Sequence, residues 1–312
     1  MEGTPPAPLP PRVVMRNGRE DDQLQGITTK QFLELYSVAT YTTARTVDRV
    51  SIFDFDAHIS RLAKLSERAP IAMSDERMRD LVLPTLRRAM SAFLARFPDH
   101  ERDELRIYFL AAPSPAPGAG EQGSDVDVLI YVQALPVKQR GELVTAALRP
   151  APRRADPHVK DVKWNMARKV YEALQAKDEE EVVMYDEDGL VTEGLSSNVF
   201  VIAEDTVRTA PTDVVLAGTF RSLVLEVCAE NHIPISLHCP QISTIDRWQS
   251  IFITSTTRAV MGVGTLRYYV RDSVSDPADA RVLRFEPTPL LTRLMDLVAE
   301  RMKERATTIL HL

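Results

Sequence analysis

The sequence predicts an α+β protein of two domains. Its 312 residues exceed what a single compact core usually holds. Strand and helix patterns are mixed along the chain, with hairpins in place of regular crossovers between strands. Hydrophobic residues make up 44% of the sequence and charged residues 26%, as in an average globular protein. These observations exclude a fibrous, collagen-like or wholly disordered chain.

Proline content and hydrophobic pattern divide the chain into four parts. Prolines 5, 6, 8, 10 and 11 prevent packing, so residues 1–26 are predicted to be a disordered or extended tail. A small N-terminal α/β domain is predicted over 27–135, with its first element near Ile27. A linker over 136–141 then leads to a larger domain over 142–312.

The elements of the smaller domain follow from residue type and period. Thr, Tyr and Val predict a strand, apolar residues at helical spacing predict an amphipathic helix, and acidic residues mark a helix start. On these grounds we predict a strand over 38–47, helices over 58–65 and 74–96, and strands over 105–112 and 126–135.

The larger domain alternates faster between strands and helices. The turn Asp186–Gly189 predicts a hairpin between two of its strands. In order, we predict a helix over 164–176, strands over 180–185, 190–193 and 198–202, a helix over 219–229, a strand over 250–254, and a closing amphipathic helix over 290–307.

Charge and cysteine content narrow the class of function. A net charge of −6 argues against nucleic acid as a partner, since phosphate backbones need a basic face. No apolar run approaches the roughly 18 residues of a membrane span. Cys228 and Cys239 cannot make a disulfide framework, and the start lacks a secretory apolar core, which favours a cytoplasmic location. With His238 they make too few ligands for a metal site.

Three short motifs in the second half suggest a site for an anion. Glu193–Asn198 reads EGLSSN, which places a carboxylate at a strand end before a turn of small residues. Gly218 precedes a predicted helix, whose first N–H groups can bind an anion. Thr254–Thr257 reads TSTT and offers hydroxyls to a phosphate. Each motif alone also suits an ordinary hairpin, helix start or strand end.

Together and in this order, the motifs resemble the class IV aminotransferase family. These are pyridoxal-phosphate enzymes of fold type IV, and they include branched-chain and D-amino-acid aminotransferases, (R)-amine transaminases and aminodeoxychorismate lyase. In the first half, YTTAR at Tyr41–Arg45 and HISRL at His58–Leu62 are similar to the family's substrate strand and its His-x-x-Arg-Leu helix. The resemblance runs from about Tyr36 to Val263 and implies the two-domain fold type IV architecture.

The resemblance implies a role for each matching residue toward pyridoxal 5'-phosphate. Lys160 would form the Schiff base and move the substrate proton, with Lys163 as the alternative. Glu193 would face the pyridine nitrogen. The resemblance further implies that Arg61 binds the phosphate together with the backbone of Thr219 and Phe220 and the hydroxyl of Thr256. It also implies that Ser196 lies close to the ring.

Four further residues are candidates for binding the substrate: Tyr36, Arg45, Arg106 and Thr257.

The chain departs from the family at Trp164-Asn165, which stands where a residue contacting the cofactor's phenolic oxygen is usual. It also departs at Phe220, which replaces a threonine. The loop after Leu110 is rich in proline and alanine instead of glycine, so the resemblance does not carry over substrate specificity.

The predicted function is amino-group transfer between an amino acid, or an amine, and a 2-oxo acid. The alternative is aminodeoxychorismate lyase, because the strand at Tyr41–Arg45 resembles the Phe-Thr-Thr-Ala-Arg strand of that enzyme. A non-catalytic member would be expected to lose Lys160 or Glu193, and both are present. The resemblance also implies a homodimer.

Overall fold

A computed structural model describes residues 9–63, 73–114, 125–137, 141–153, 168–270 and 280–311. The chain folds as two units, and each has its own sheet and its own apolar core. The first unit comprises Met1–Val137 together with Arg305–Leu312, and the second comprises Lys138–Glu304.

The first unit contains a 7-stranded sheet with the order β16-β4-β3-β5-β6-β1-β2. All of its neighbouring strands are antiparallel. The strands are β1 (Arg12–Arg16), β2 (Arg19–Glu20), β3 (Thr40–Val47), β4 (Ser51–Phe53), β5 (Glu104–Pro113), β6 (Val126–Leu135) and β16 (Ala306–Thr308).

In the described part of this unit, three α-helices accompany the sheet: α1 (Thr29–Leu33), α2 (Phe55–Ala63) and α3 (Asp75–Arg96). Alternate residues of the strands form one core with the apolar sides of α2 and α3, and Ile107 and Phe93 are fully buried in it. Ser74 caps α3, because its hydroxyl accepts a hydrogen bond from the Arg77 N–H at 3.2 Å. Phe32 of α1 packs in a second cluster with Tyr131 on the opposite face.

The prediction that the fold begins near Ile27 is wrong. Arg12–Arg16 pairs with β6 along its whole length, and the side chains of Val13 and Val14 have no exposed surface. Burial of apolar side chains and a full ladder of backbone hydrogen bonds make this segment part of the sheet. The residues described from Leu9 onward therefore include the strand next to the edge of the first unit.

The second unit contains a 9-stranded sheet with the main order β12-β11-β10-β13-β14-β7-β8-β9. Strand β9 pairs with β10 as well as with β8, so the strands from β10 to β9 form a closed ring, and β15 pairs with β14. The strands are β7 (Val144–Pro150), β8 (Glu179–Tyr185), β9 (Val191–Gly194), β10 (Asn198–Ala203), β11 (Thr206–Thr209), β12 (Ile235–Ser236), β13 (Ser250–Ser255), β14 (Ala259–Tyr268) and β15 (Arg281–Arg284).

The described helices of this unit are α4 (Lys169–Glu172), α5 (Thr219–Glu230) and α6 (Pro289–Glu304). Alternate residues of β10 and β13, such as Val199 and Ile253, join the core of the strand ring. The helix predicted over 164–176 is observed only as α4, and residues before 168 lie outside the described part. Among the described residues, no helix is both long and apolar enough to cross a membrane.

The predicted final helix over 290–307 ends too late. Helix α6 stops at Glu304, and Ala306–Thr308 forms β16 in the sheet of the first unit. Thr307 and Thr308 are β-branched and favour a strand. The larger domain predicted over 142–312 therefore differs from the second unit by its last residues.

Candidate active site

A buried carboxylate lies at the end of strand β9. Glu193 is only 4% exposed, and it pairs with Asn198 across the turn that joins β9 to β10. Its Oε2 accepts a hydrogen bond from the backbone N–H of Leu216 at 3.3 Å. Burial of a carboxylate is costly unless it accepts hydrogen bonds, and the Leu216 N–H supplies one. The same bond joins Glu193 to the loop before α5.

Asn198 holds the same loop from the next strand. Its Nδ2 donates to the Leu216 carbonyl at 2.8 Å, and its backbone pairs with Thr254 of β13. A Cβ on Gly218 would collide with the Asn198 side-chain oxygen. Gly218 has φ −68° and ψ 145°, which any residue adopts, so glycine is needed here for space. The three sequence motifs therefore meet around Asn198.

Helix α5 begins at this contact. Gly218 is its N-cap and has no side chain to bind the first N–H groups, which include those of Thr219 and Phe220. The Phe220 side chain is buried in the core, so only its backbone is offered to a ligand. The helix start thus has the donors and the dipole that suit an anion.

Arg221, which follows Gly218 in the first turn of α5, has a structural role. It is 1% exposed, and its Nη2 donates to the Ala210 carbonyl at 2.7 Å while Nη1 lies 3.3 Å from the Thr212 hydroxyl. Burial lowers the pKa of Arg221. These bonds fix α5 against the segment after β11.

Hydroxyl groups line the turn between β13 and β14. Ser255 Oγ accepts the N–H of Arg258 at 3.2 Å and lies 3.3 Å from the Thr257 hydroxyl. Thr256 and Thr257 are half-buried. Because Thr254 pairs with Asn198, this turn follows the strand end that adjoins Glu193.

The hydroxyl of Ser196 contacts protein groups on both sides. It donates to Glu181 Oε2 at 2.8 Å and accepts from Arg258 Nη1 at 3.0 Å. Glu181 and Arg258 were missed by the sequence analysis, which treated Glu181 as part of a strand. An arginine directly after the TSTT motif was the only available signal.

Arg61 of the His-x-x-Arg-Leu motif lies in the first unit, on α2. Its Nη1 donates to the Thr42 hydroxyl at 3.1 Å, and that hydroxyl lies 2.8 Å from His58 Nδ1. Burial lowers the pKa of Arg61, and the charge of Asp54 opposes that shift. The motif therefore joins α2 to strand β3 through Thr42.

Two candidate substrate residues are direct neighbours in the sheet of the first unit. Arg45 of β3 and Arg106 of β5 pair across the strands, so their side chains leave the same face. Burial lowers the pKa of Arg45, while Glu104 acts in the opposite direction. Among the described residues, no carboxylate lies within ion-pair distance of Arg106, whose Nη1 is 3.3 Å from the Tyr108 hydroxyl. Like charges in register are unfavourable, so this face suits an anion.

The phenol of Tyr36 is already engaged. It donates to Asp127 Oδ2 at 2.8 Å, and Asn17 Nδ2 donates to the other oxygen of that carboxylate at 2.9 Å. Burial and then Asp127 raise the pKa of Tyr36 to about 12. In this arrangement Tyr36 can only accept a hydrogen bond, so a substrate carboxylate would have to displace Asp127.

The predicted site residues fall into three groups. Glu193, Ser196, Thr219, Phe220, Thr256 and Thr257 lie in the second unit, and Tyr36, Arg45, Arg61 and Arg106 lie in the first. Lys160, the alternative Lys163 and the Trp164-Asn165 pair lie outside the described residues.

Comparison with known proteins gives a family. The amino-transferase class IV family matches residues 39–266. D-alanine aminotransferase of Bacillus licheniformis is 26% identical over 223 residues, which cover 69% of this chain and 74% of that protein.

Two solved structures share the fold. Branched-chain aminotransferase from Thermoproteus uzoniensis, solved with norvaline, superposes with a TM-score of 0.67 at 17% identity, over 96% of this chain and 99% of that chain. The PLP-bound branched-chain amino acid aminotransferase from Thermobaculum terrenum gives a TM-score of 0.67 at 15% identity, over 97% and 99% of the two chains.

The chain belongs to the class IV aminotransferase family. It is a pyridoxal-phosphate-dependent aminotransferase with the α+β architecture of fold type IV. The groups around Asn198 fit this cofactor, because a buried carboxylate suits a protonated ring nitrogen and an uncapped helix start suits a phosphate.

Replacement of Gly218 by alanine should destabilise the second unit. The added Cβ would displace the Asn198 side chain and weaken its bond to Leu216. We expect the free energy of unfolding to fall by about 1–3 kcal/mol, as for overpacked core sites. Urea denaturation followed by circular dichroism measures the change. Gly26→Ala is the control, since nothing lies within 4 Å of a Cβ there. Equal stability of the two variants would contradict the assigned contact.

Proposed function

We propose that Glu193, Thr219, Phe220 and Thr256 bind pyridoxal phosphate in the second unit, with Ser196 in the adjoining turn. The proposal depends on two hydrogen bonds to the backbone of Leu216, in the loop before α5. Glu193 accepts the Leu216 N–H, and Asn198 donates to the Leu216 carbonyl. This contact supports a site in which a carboxylate and an anion-binding helix start have a fixed separation. Arg61 would add a cationic fork for the phosphate.

Each residue then has a distinct chemical task. The bound cofactor supplies an electron-accepting ring. Glu193 holds a proton at the ring nitrogen, and its bond from Leu216 keeps the carboxylate oriented for this. Lys160 would hold the cofactor covalently, and its amine would serve as the base that moves the proton at the substrate Cα. A lysine is too basic for that task at neutral pH unless burial or cationic neighbours lower its pKa.

We propose that the substrates are an α-amino acid and a 2-oxo acid, with Arg45 and Arg106 as carboxylate ligands and Thr257 as a further contact. The register of the two arginines on one face of the sheet supports this, as does the lack of an acidic partner for Arg106 among the described residues. Tyr36 would accept a hydrogen bond from a donor, since its own proton goes to Asp127.

Lys160 should carry the cofactor. We expect purified protein to be yellow, and borohydride reduction followed by peptide mapping to place the cofactor's mass on the peptide that contains Lys160. Lys160→Ala should abolish this labelling, whereas Lys163→Ala should keep it. A label on Lys163 would transfer the role to that residue, and a protein with no labelled lysine would contradict the proposal.

Glu193→Gln should separate the charge of this residue from its support of the loop. The amide oxygen can still accept the Leu216 N–H, but it cannot hold a proton at the ring nitrogen as a carboxylate does. We expect cofactor affinity to stay near that of the wild type while kcat and kcat/KM fall together, by on the order of 100-fold. Glu193→Ala should lose affinity as well. Wild-type turnover in the Gln variant would contradict the role.

Arg106→Leu should weaken substrate binding without loss of the cofactor. A hydrogen bond to a charged group contributes about 1.5–3 kcal/mol, so we expect KM for the 2-oxo acid to rise by roughly 10- to 150-fold. Arg96→Leu is the control, since it removes an ion pair with Glu20 at the surface of the same unit. Steady-state kinetics and a cofactor titration give both quantities. Equal KM values for the two variants would remove Arg106 from the substrate site.

The family resemblance also leads us to propose a homodimer. Light scattering at assay concentration would show twice the chain mass of 35.0 kDa if this is correct, and a fully active monomer would exclude it.

A further inference from the structure

Arg258 connects three segments of the second unit. Its Nε donates to Glu180 Oε1 at 2.9 Å, and Nη2 donates to the Glu180 carbonyl at 2.9 Å. Its Nη1 donates to the Ser196 hydroxyl at 3.0 Å and to Glu181 Oε2 at 3.3 Å. Every nitrogen of the guanidinium thus bonds to strand β8 or to the turn between β9 and β10. Arg258 itself belongs to the turn between β13 and β14.

Glu181 is the buried centre of this arrangement. Its side chain is 2% exposed, and Oε2 accepts bonds from the Ser196 N–H at 3.3 Å and the Ser196 hydroxyl at 2.8 Å. A Cβ on Gly194 would lie 2.9 Å from the Glu181 carboxyl carbon and would collide with the Ser197 hydroxyl. The backbone of the turn therefore fits closely around the carboxylate. A movement of Glu181 would move the turn that directly follows Glu193.

A contribution to stability alone does not explain the buried ion pair between Arg258 and Glu181. Replacement of a buried ion pair by apolar residues is often neutral or stabilising, because desolvation offsets much of the attraction. What the pair supplies is geometry. The Arg258 N–H bonds to Ser255, so the same residue fixes the turn that carries Thr256 and Thr257.

Strand β14 offers a matched comparison. Arg267 is 17% exposed, close to the 16% of Arg258, and it also binds acidic residues at the start of β8. Its Nη2 lies 2.6 Å from Asp178 Oδ2, and Nη1 lies 3.3 Å from Glu179 Oε1. Within the described residues, the hydrogen bonds of Arg267 go to Asp178 and Glu179, and none reaches the turn at 194–197 or the turn at 255–258.

We propose that Arg258 is a positioning residue for the cofactor. Through Glu181 and Ser196 it holds the turn after Glu193 in register with the turn that carries Thr256. The inference depends on the proposed function, which assigns Glu193 and Thr256 to the cofactor. Arg258 does not touch the reacting atoms in this assignment; it fixes the spacing between the groups that bind the ring and those that bind the phosphate.

The test compares Arg258→Met with Arg267→Met. Each apoenzyme is titrated with pyridoxal phosphate, and dissociation constants are read from fluorescence, together with the visible absorbance and circular dichroism of the bound cofactor. We expect Arg258→Met to weaken affinity at least tenfold, to alter the circular dichroism of the cofactor band and to lower kcat more than it changes KM. Arg267→Met should stay within about twofold of the wild type in affinity, with a similar change in Tm.

Two milder variants keep the test decisive if Arg258→Met does not fold. Ser196→Ala removes the hydroxyl through which Arg258 contacts the turn directly and leaves no buried charge unpaired, and Arg258→Lys keeps the charge but loses the fork. Both should shift the cofactor's circular dichroism and weaken affinity by less than Arg258→Met. The double variant Ser196→Ala/Arg258→Lys should show less than the sum of the two effects, because the residues act through one contact.

The outcomes distinguish a failure of this inference from a failure of the proposed function. If the wild type binds the cofactor at Lys160 and the Arg258 and Arg267 variants lose affinity equally, Arg258 is only structural and the inference fails alone. Unchanged circular dichroism and affinity in both milder variants would also overturn it. If the wild type does not bind pyridoxal phosphate, both the inference and the proposed function fail.

Discussion

The hydrogen bond from the Asn198 amide to the Leu216 carbonyl is the contact on which the proposed cofactor site of the second unit depends. Asn198 begins β10 and pairs with Glu193 on one side and Thr254 on the other, so it lies where three strands meet. Its side chain also occupies the space that a Cβ on Gly218 would need. The Asn198 side chain therefore fixes the start of helix α5, and with it the first N–H groups of the helix, relative to the strand ring.

Two charged residues of the second unit, Glu181 and Arg221, are buried and bound by protein groups. Buried polar groups without partners are rare in native proteins because their desolvation is not compensated. Glu181 also pairs with Arg258, and the loss of either residue would leave the charge of the other unsatisfied. In the proposed cofactor site, these groups would supply precise spacing more than added stability.

The sequence allowed the family and the fold class to be predicted, because both depend on local spacing. Glu193, Asn198 and Gly218 occur in short motifs that need no knowledge of distant contacts. Other features depend on pairing between remote segments. Strand β1 follows a run of prolines that suggests a tail, and only its ladder with β6 makes it part of the core. The proposed role of Arg258 depends on contacts with β8, which its neighbours in sequence do not indicate. The roles of Lys160, Glu193 and the other cofactor and substrate residues stay predictions.

Strand β16 completes the sheet of the first unit with residues that follow the second unit in sequence. Thr308 pairs with Ser51, Arg87 Nε donates to the Ile309 carbonyl at 3.1 Å, and Arg305 forms an ion pair with Asp54 at 2.6 Å. The sheet that starts at Arg12 therefore remains incomplete until Ala306–Thr308 have been synthesised. Domains generally fold in the order of their synthesis, and contacts between distant segments slow folding. Here the second unit is complete in sequence before the first, so β4 is an unpaired edge of the N-terminal sheet until β16 is added.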